Sequence, residues 1–401
     1  MPKLLILNAA KNYGSTGKIS EQIGLLAINK GWEVCISHSA RYENPSNLKS
    51  LTTGSNSGEK IHALMAYAFD RQGLHSKSAT KKLIDSIKGY APDIIHLHNI
   101  HGYYLNYPML FSYLAEANIP IVWTMHDCWS FTGHCSYFDM IGCDKWKTHC
   151  NHCQNLSDYP KAILDRSYKN FEQKRTLFTG VKNCTLVPVS EWLGEMASQS
   201  FMGKFPIHVI HNGIDLSVFR RKGNEIRERL NIQDKFIVLG VSSNGFTGRK
   251  GLNDFVRLSQ ILPSTFQIVM VGLKKEEKKL LPDNIIGMSR TANVEELVDL
   301  YNAADVFINP TYSDNFPTTN IEALACGTPV VTYRTGGSPE AIDRNTGVVV
   351  AQGNVSELAN AIQYLCSMPL SSNKCRKRAE DYFDKNKCFE QYIDMYNSIR
   401  K

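Results

Sequence analysis

Two carboxylates at a fixed spacing give the strongest chemical signal in the chain. Asp314 lies in a loop after a predicted strand, and Glu322 follows after seven intervening residues, one turn into the next predicted helix. That helix starts near Pro317, where free backbone N–H groups can meet a phosphate. One carboxylate then reaches a ligand from the loop and the other from the helix, where a Glu suits vicinal hydroxyls such as those of a ribose. The alternative is a capping acid on an ordinary strand–helix unit.

A glycine-rich, basic loop is the second candidate. Residues 242–251 follow a predicted strand and open a helix. Because glycines allow close backbone approach and Arg249 and Lys250 add positive charge at the helix start, the loop predicts a diphosphate site. A basic surface turn is the alternative. Residues 12–18 link the first strand to the first helix in a similar way, but they match neither a P-loop nor a dinucleotide-binding fingerprint, and a tight turn explains them equally well.

Histidines follow two neighbouring predicted strands. His96, His98 and His101 cluster at one strand end, and His126 with Asp127 follows the next. Since ligands bind beyond the carboxyl ends of parallel strands, these side chains are expected at one rim. Structural hydrogen bonding is the alternative. For His126 we expect a hydrogen bond to substrate, not general-base chemistry.

A cysteine-rich segment carries metal-capable residues. Its four candidate ligands are Cys135, Cys143, Cys150 and Cys153. They are separated by seven, six and two residues, and the final Cys-x2-Cys is typical of a tetrahedral, structural Zn²⁺ site. Free thiols and an iron–sulfur cluster are the alternatives. Spare ligands are His134, His149 and His152. Cys128 is expected to be a buried thiol near the active site.

Strand-length apolar runs alternate with amphipathic, helix-length stretches along the whole chain. This pattern predicts an α/β protein of two doubly wound, Rossmann-like halves with parallel sheets. We predict an N-terminal domain over 1–210 with a Cys-rich insertion at 126–160, and a second domain over 211–375. A terminal helical segment, 376–401, either packs on the second half or crosses back to the first.

The amino-acid composition limits which classes of protein remain possible. The chain has 401 residues, 43% hydrophobic and 21% charged, as expected of a soluble globular protein with two or three domains. The net charge of +7, without a basic tail, argues against a dedicated nucleic-acid binder. No apolar run reaches membrane-span length, and the first residues read as a strand and not a signal peptide, so we expect a cytoplasmic protein. Weak, peripheral attraction to anionic lipid stays open.

Residues 312–340, which include Asp314, Glu322 and the following Ala-Leu-Ala-Cys-Gly-Thr-Pro-Val-Val, resemble a known family element. The chain resembles the retaining GT-B glycosyltransferases of family 4 (glycosyltransferase group 1), of the exopolysaccharide or O-antigen type. The resemblance implies an N-terminal acceptor domain and a C-terminal nucleotide-sugar domain that face each other across an interdomain cleft. It also implies that no catalytic metal is needed.

The resemblance assigns roles by position. Glu322 would hold the donor ribose, and Asp314, which replaces the first Glu of the family's Glu-x7-Glu element, would hold hydroxyls of the donor sugar. His126 would contact the same sugar. The family's arginine falls where this chain has Asn244 and Gly245, so Lys250, with Arg249 beside it, would bind the diphosphate. Further implied substrate-binding residues are Gly14, Ser15, Gly17, His98, Asn244, Ser289, Asn315, Phe316, Pro317 and Thr318.

The resemblance implies a transferase that moves a sugar from a nucleotide diphosphate sugar to a glycan or lipid-linked saccharide, with retention of anomeric configuration. With no obvious protein nucleophile, the acceptor would attack the front face and the leaving phosphate would take its proton. A non-catalytic nucleotide-sugar or glycan-binding protein on the same fold is the alternative. A nicotinamide oxidoreductase is disfavoured because no G-x-G-x-x-G follows the first strand.

Overall fold

The computed structural model describes residues 1–223, 226–243 and 245–400. These residues form two compact units. Unit 1 comprises Met1–His211 and Phe389–Lys401, and unit 2 comprises Asn212–Cys388. None of the helices in the described ranges is both long and apolar enough to span a membrane.

Unit 1 is built on a six-stranded, fully parallel sheet. Its strands are β1 (Lys3–Leu7), β2 (Glu33–Ser39), β3 (Lys49–Thr53), β4 (Ile94–Leu97), β5 (Ile121–Met125) and β6 (Cys184–Pro188). Their order is β3-β2-β1-β4-β5-β6, so the direction of winding reverses between β1 and β4. Leu4 pairs with Ile94 and Leu7 with Leu97, and all four side chains are fully buried. Helices cover both faces, which is why these strands are continuously apolar.

The helices of unit 1 connect these strands. They are α1 (Gly14–Asn29), α2 (Asn56–Phe69), α3 (Lys77–Tyr90), α4 (Tyr107–Ala117), α5 (Ser167–Phe178) and α6 (Glu191–Gln199). Local sequence fixes several starts: Asn106 accepts a hydrogen bond from the Met109 N–H at the start of α4, and Ser190 does the same for Leu193 at α6. Between β5 and α5, residues 126–166 form three short 3₁₀ turns, so this segment extends past the predicted insertion limit at 160.

Unit 2 repeats the same winding. Its strands are β7 (Phe236–Val241), β8 (Phe266–Val271), β9 (Ile285–Met288), β10 (Val306–Asn309), β11 (Val330–Tyr333) and β12 (Gly347–Val350). They are all parallel, in the order β12-β11-β10-β7-β8-β9. The winding therefore reverses between β7 and β10, where Val238 pairs with Val306.

Eight helices complete the described chain. They are α7 (Ile226–Arg229), α8 (Leu252–Ile261), α9 (Lys275–Lys278), α10 (Val294–Ala303), α11 (Thr318–Ala325), α12 (Val355–Ser367), α13 (Ser372–Tyr382) and α14 (Lys385–Ile399). The predicted boundary at 375/376 is wrong, because it falls inside α13. Arg376 of α13 donates to the carbonyls of Phe219 and Ala325, which fixes that helix within unit 2. Residues from Phe389 onward belong to unit 1, where the Tyr396 hydroxyl is hydrogen-bonded to His96 Nδ1 at 2.6 Å.

Candidate active site

The candidate site of unit 2 lies where its winding reverses. Strands β7 and β10 are neighbours, and the loops that follow them, 242–251 and 310–317, leave the carboxyl edge of the sheet side by side. Backbone and side-chain bonds join the two loops: the Tyr312 N–H donates to the Arg249 carbonyl at 2.7 Å, and the Thr311 hydroxyl donates to it at 3.1 Å. This reversal point is where open α/β sheets bind ligands.

Charged side chains from the two loops meet at this point. The Lys250 ammonium forms an ion pair with Asp314 Oδ2, and Arg249 Nη1 lies 3.9 Å from the same oxygen. Arg249 also donates to the Ser313 carbonyl at 2.6 Å. Burial alone would raise the pKa of Asp314, but Lys250 and Arg249 bring it below its usual range. Burial lowers the pKa of Lys250, and Asp314 opposes that shift. Two cations therefore face one carboxylate at this point.

Glycines let the backbone pass close to these groups. Gly336 has a φ of +51°, and a Cβ added there would lie 1.9 Å from the Asp314 carbonyl oxygen. Gly251, at a φ of +75°, would place a Cβ 2.3 Å from the Pro310 carbonyl oxygen. No other residue type fits either position without moving the loop that carries Asp314.

Glu322 is held by a buried neighbour. The Tyr301 hydroxyl, whose residue is fully buried on α10, donates to Glu322 Oε2 at 2.9 Å. The start of α11 is fixed separately: the Asn320 amide donates to the Ser338 carbonyl and accepts from the Asn309 amide. Pro317 stands at the N-cap and has no side-chain group that could cap the helix. The helix start thus presents backbone N–H groups beside Thr318, as predicted.

Other predicted residues of unit 2 divide between the rim and the interior. Ser289 directly follows the edge strand β9, at the same end of the sheet. The side chains of Asn315 and Phe316 are buried, and the Phe316 ring packs 5.7 Å from that of Phe383. The aromatic side chain of Phe316 therefore supports the loop, and a contact between Phe316 and substrate stays a prediction. Asn244 lies outside the described residues.

The loop after β7 is anchored by a carboxylate that the sequence analysis missed. Glu277 accepts hydrogen bonds from the N–H groups of Phe246 and Thr247 at 2.8 and 2.7 Å. Burial raises the pKa of Glu277, but the backbone donors of Lys274, Thr247 and Phe246 lower it overall, so the carboxylate stays charged. A Cβ on Gly245, which has a φ of +83°, would lie 2.8 Å from both Glu277 oxygens. Any side chain at 245 would therefore have to displace the Glu277 carboxylate from this position.

In unit 1, two of the predicted histidines contact each other, and a third contacts Asp127. His98 Nδ1 and His126 Nε2 are hydrogen-bonded at 2.9 Å, with the rings stacked at 18°. Burial lowers the pKa of His126 to about 4, although Asp127 opposes it, and burial lowers the pKa of His98 well below its usual value. Asp127 instead lies 2.9 Å from His101 Nε2. The His98–His126 pair is thus neutral near pH 7 and suited to hydrogen bonding.

The glycine-containing segment after β1 differs from its predicted form. Gly14, Ser15 and Gly17 lie in the first turn of α1 and not in a loop before it. A Cβ on Gly17 would lie 3.2 Å from the Ala10 Cβ, so this glycine lets α1 pack closely on the chain that leaves β1. Gly14, at a φ of +63°, faces open space. Any ligand at this helix start would meet backbone N–H groups of α1.

The four predicted metal ligands lie in the segment between β5 and α5. Across residues 1–223, 226–243 and 245–400, no set of three or more His, Cys, Asp or Glu side chains stands ready to hold a metal ion. Cys135 is buried, and Cys143, Cys150 and Cys153 are partly buried. Cys128 is fully buried, as predicted.

Two buried charged residues beside this segment were missed. Lys174 on α5 is 2% exposed, and burial lowers its pKa to about 7, while Asp70 opposes that shift. Asp70, also 2% exposed, ends α2. The amphipathic pattern around Lys174 is weak, which is why the sequence did not mark it as a core position.

A cavity of about 520 Å³ in unit 2 lies away from the candidate site. Arg221, Arg227, Asp305 and Thr328 line it, at the amino ends of β10 and β11 and thus at the opposite edge of the sheet. The Arg227 guanidinium is already paired with Asp305 at 2.7 Å. The carboxyl edge of the same sheet, in contrast, carries Lys250, Arg249 and Asp314.

Comparison with known proteins agrees with this architecture. The profile of "Glycosyl transferases group 1" matches residues 223–382, and that of "Glycosyltransferase Family 4" matches residues 30–218. The chain is 25% identical over 322 residues to WcaC of Escherichia coli (strain K12), a glycosyl transferase named for colanic acid biosynthesis, with 77% of each chain covered.

Solved structures share the fold. Sucrose-phosphate synthase from Thermosynechococcus elongatus superimposes with a TM-score of 0.71 at 18% identity, covering 100% of this chain and 99% of that one. Anabaena Alr3699/HepE in complex with UDP-glucose gives a TM-score of 0.67 at 16% identity, with 99% of each chain covered. At these identities, the likeness establishes two Rossmann-like units of the GT-B type.

Proposed function

Because the chain belongs to the group 1 glycosyltransferases of the GT-B fold, we propose that it transfers a sugar from a nucleotide diphosphate sugar to a hydroxyl of a glycan or lipid-linked saccharide. We further propose that the anomeric configuration is retained. The observation that carries the proposal is the meeting of Lys250, Arg249 and Asp314 at the winding reversal of unit 2. Positive charge there suits a departing diphosphate.

In the proposed donor complex, the diphosphate lies between the Lys250 ammonium and the start of α11. Lys250 exchanges part of its contact with Asp314 for a phosphate oxygen, and this frees Asp314 to accept hydrogen bonds from the sugar. Arg249 is fixed by the Ser313 carbonyl and adds a second cation. Glu322, oriented by Tyr301, accepts hydrogen bonds from the ribose hydroxyls.

The chemical step then needs no protein nucleophile. The bond between the sugar C1 and the phosphate oxygen breaks, and the acceptor oxygen forms a bond to C1 on the same face. The acceptor hydroxyl proton passes to the departing phosphate oxygen. Preorganised cations at such a site are worth about 3–4 kcal/mol of transition-state stabilisation each. Burial keeps His126 of unit 1 neutral, so its predicted role towards a sugar is hydrogen bonding and not proton transfer.

The relatives narrow the substrate class. HepE has been solved in complex with UDP-glucose, and WcaC is named for colanic acid biosynthesis. We therefore propose a UDP-hexose as the first donor to test and a growing polysaccharide unit as the acceptor. The reaction is assigned to the cytoplasm, where nucleotide sugars are made.

A non-catalytic binding protein is the second candidate. It is favoured by the ion pair itself, since an Asp314 that stays bound to Lys250 would not reach the sugar. The two candidates differ in what happens to a bound donor. An enzyme releases nucleotide diphosphate slowly even without acceptor, whereas a binding protein leaves the donor intact.

The test is a panel of UDP- and GDP-sugars, each assayed for thermal stabilisation and for nucleotide diphosphate release. We expect one donor class to raise the melting temperature and to be hydrolysed slowly, because ligands that bind only the folded state stabilise it. Glu322→Ala is the matched control and should lose both effects. A donor that stabilises the protein without any release would favour the binding protein. Product anomeric configuration, read by NMR, decides retention.

A further inference from the structure

Helix α2 exposes apolar side chains and buries polar ones. Ile61 and Leu64 are 62% and 63% exposed, whereas Glu59 is 1% exposed and His62 is fully buried. A surface helix of a globular protein normally has the opposite arrangement, with its apolar face against the core. The outward face of α2 is therefore suited to contact with something other than water.

Hydrogen bonds fix the orientation of α2. Glu59 Oε1 accepts from the Ala40 N–H at 2.7 Å. His62 Nδ1 lies 2.9 Å from the Ser76 hydroxyl, and His62 Nε2 accepts from the Gly73 N–H at 3.0 Å. A rotation of the helix that buried its apolar face would break all three of these contacts. The exposed face is thus held outward by the polar side chains on the inner face.

A neighbouring loop enlarges the exposed apolar surface. The Ile163 N–H donates to the Tyr67 carbonyl at 2.8 Å, which places the loop before α5 against the end of α2. Tyr67, Ile163 and Leu164 are all exposed. We call Ile61, Leu64, Tyr67, Ile163 and Leu164 together the apolar patch. Neighbouring exposed apolar side chains of this kind mark protein or membrane contact sites.

The chain around the apolar patch exposes basic side chains. Within residues 55–82, five Lys or Arg residues are exposed: Lys60, Arg71, Lys77, Lys81 and Lys82. The two acids of the same segment, Glu59 and Asp70, are both buried. Lys161, two positions before Ile163, is exposed as well. Residues 55–82 therefore present positive charge to solvent and no exposed carboxylate.

Carboxylates close to the apolar patch are engaged within the chain. Asp70, which ends α2, has one oxygen 2.7 Å from His134 Nδ1 and accepts from the Arg166 N–H with the other at 3.1 Å. Asp165, next to Leu164, accepts from the N–H groups of Cys153 and Ser167, both at 2.8 Å. These acids are therefore held by neighbouring groups of the chain, and the exposed basic side chains determine the charge beside the patch.

The apolar patch is connected to the carboxyl edge of the sheet of unit 1. The Tyr159 hydroxyl lies 3.2 Å from His101 Nδ1 and accepts from the Gln72 amide at 3.2 Å. His101 follows β4 at that edge. Tyr159 is four positions before Ile163, and Gln72 is five positions after Tyr67, so both segments that carry the patch lead to the edge where the predicted histidines lie.

We propose that the apolar patch docks the protein on an anionic lipid surface. Ile61, Leu64 and Ile163 enter the boundary between head groups and acyl chains, and Tyr67 lies at the level of the head groups. Lys60 and Lys161 keep their ammonium groups at the lipid phosphates. A second copy of this chain fits the patch less well, because two equally basic surfaces repel each other.

The test is sedimentation of the full-length protein with lipid vesicles. The vesicles contain phosphatidylcholine alone or with about one-third phosphatidylglycerol, an anionic lipid. We expect binding to the anionic vesicles that weakens as salt is added, and about tenfold weaker binding to the neutral ones. Protein that stays in the supernatant with both kinds of vesicle at low salt would overturn the proposal.

Substitutions test whether the apolar patch is the surface that binds. Leu64→Glu combined with Ile163→Glu should abolish sedimentation with anionic vesicles. Leu280→Glu is the matched control, because Leu280 of unit 2 is 63% exposed, like Leu64, and this variant should bind as the unmodified protein does. If the double variant binds as well as the control, the surface has been assigned incorrectly.

The contribution of charge has its own pair of variants. Lys60→Glu combined with Lys161→Glu should remove the preference for phosphatidylglycerol and most of the salt dependence. Lys279→Glu, which changes an exposed lysine of unit 2, should retain both. A preference for anionic vesicles that is the same in the two proteins contradicts the proposed contact with lipid phosphates.

A further measurement needs no variant and covers the case in which one does not fold. Hydrogen exchange of the unmodified protein should slow on addition of anionic vesicles in peptides that cover residues 56–72 and 159–168. Slowing confined to other segments is the contrary result. So is a dimer without vesicles that Leu64→Glu converts to a monomer, because the patch would then join two copies. Neither lipid binding nor hydrogen exchange depends on glycosyl transfer, so these results are independent of the proposed function.

Discussion

The Lys250 ammonium is paired with the Asp314 carboxylate, 64 positions away in the sequence. The pair joins the loops after β7 and β10, which each supply one residue to the proposed diphosphate site. In the proposed complex, the donor diphosphate must therefore compete with Asp314 for Lys250. Substitutions of these residues should consequently have the strongest effects on donor binding.

Lys250→Ala should lower kcat/KM for the donor by about a hundredfold or more, since one preorganised charge contributes about 3–4 kcal/mol. The change also leaves Asp314 without its closest cation. Lys250→Arg should recover part of the loss, because the charge returns in a different geometry. Initial rates over a range of donor concentrations measure the effect. Lys279→Ala, which removes an exposed lysine after α9, is the control, and a Lys250→Ala variant as active as that control would contradict the diphosphate assignment.

Tyr301→Phe should weaken donor binding about tenfold, because Glu322 loses the hydrogen bond from Tyr301 that helps to orient it. Tyr301 acts only through Glu322, so it is a positioning residue. Calorimetry with nucleoside mono- and diphosphates separates its effect from that of Lys250. The Tyr301 variant should weaken both ligands equally, and Lys250→Ala should mainly weaken the diphosphate. Equal losses for both variants with both ligands would argue against separate ribose and phosphate contacts.

Gly336→Ala should reduce activity sharply and lower the melting temperature, since its Cβ would lie 1.9 Å from the Asp314 carbonyl oxygen. The strained backbone alone costs about 1–3 kcal/mol. Gly31→Ala is the matched control: its φ of +87° is also positive, but a Cβ there meets open space. Thermal unfolding and donor kinetics of the two variants should therefore differ clearly. Similar losses in both would mean that backbone strain, and not the contact with Asp314, dominates.

The free energy of unfolding should decrease as the pH falls from 6.5 towards 4. The unfolded chain protonates histidine near its usual value of 6.5, whereas burial holds the pKa of His126 at about 4 and that of His96 at about 3. Because the unfolded state binds more protons in this window, stability is complete above pH 6.5 and is lost below it.

Urea unfolding at several pH values measures this loss, which should be about 1–2 kcal/mol per buried histidine between pH 7.5 and 5. His126→Gln should flatten the dependence, and His208→Gln, at an exposed position, should not. An unchanged slope in His126→Gln would show that this histidine is not held neutral by the fold.

Prediction from the sequence was most accurate where the residues of one element indicated both its place in the fold and its chemical role. The apolar runs at 4–8, 121–125, 236–241 and 306–309 predict strands that agree closely with β1, β5, β7 and β10, because strands buried on both faces leave no polar alternation. It failed at β3, whose Lys49-Ser-Leu-Thr-Thr is half exposed at the sheet edge, and at β6, whose Pro188 weakens the strand signal.

The residues of the candidate site were likewise predicted only in part. Asp314, Glu322 and Lys250 were predicted because their neighbours form a specific motif, and the structure places Asp314 and Lys250 in contact. Glu277, Tyr301 and Lys174 were missed because each acts through a partner distant in sequence. Gly14, Ser15 and Gly17 were predicted in the linking segment 12–18, but helix α1 already starts at Gly14.

The packing of helix α14 on unit 1 has a consequence for how the protein folds during its synthesis. Tyr396 is fully buried in unit 1, where its ring lies 5.6 Å from that of Trp32 and its hydroxyl meets His96, and the Tyr392 hydroxyl accepts from Thr124. Tyr396 lies 300 positions after His96 in the sequence. During synthesis the sheet of unit 1 is therefore made long before the helix that covers His96 and Trp32, and its packing is complete only after α14 has been translated.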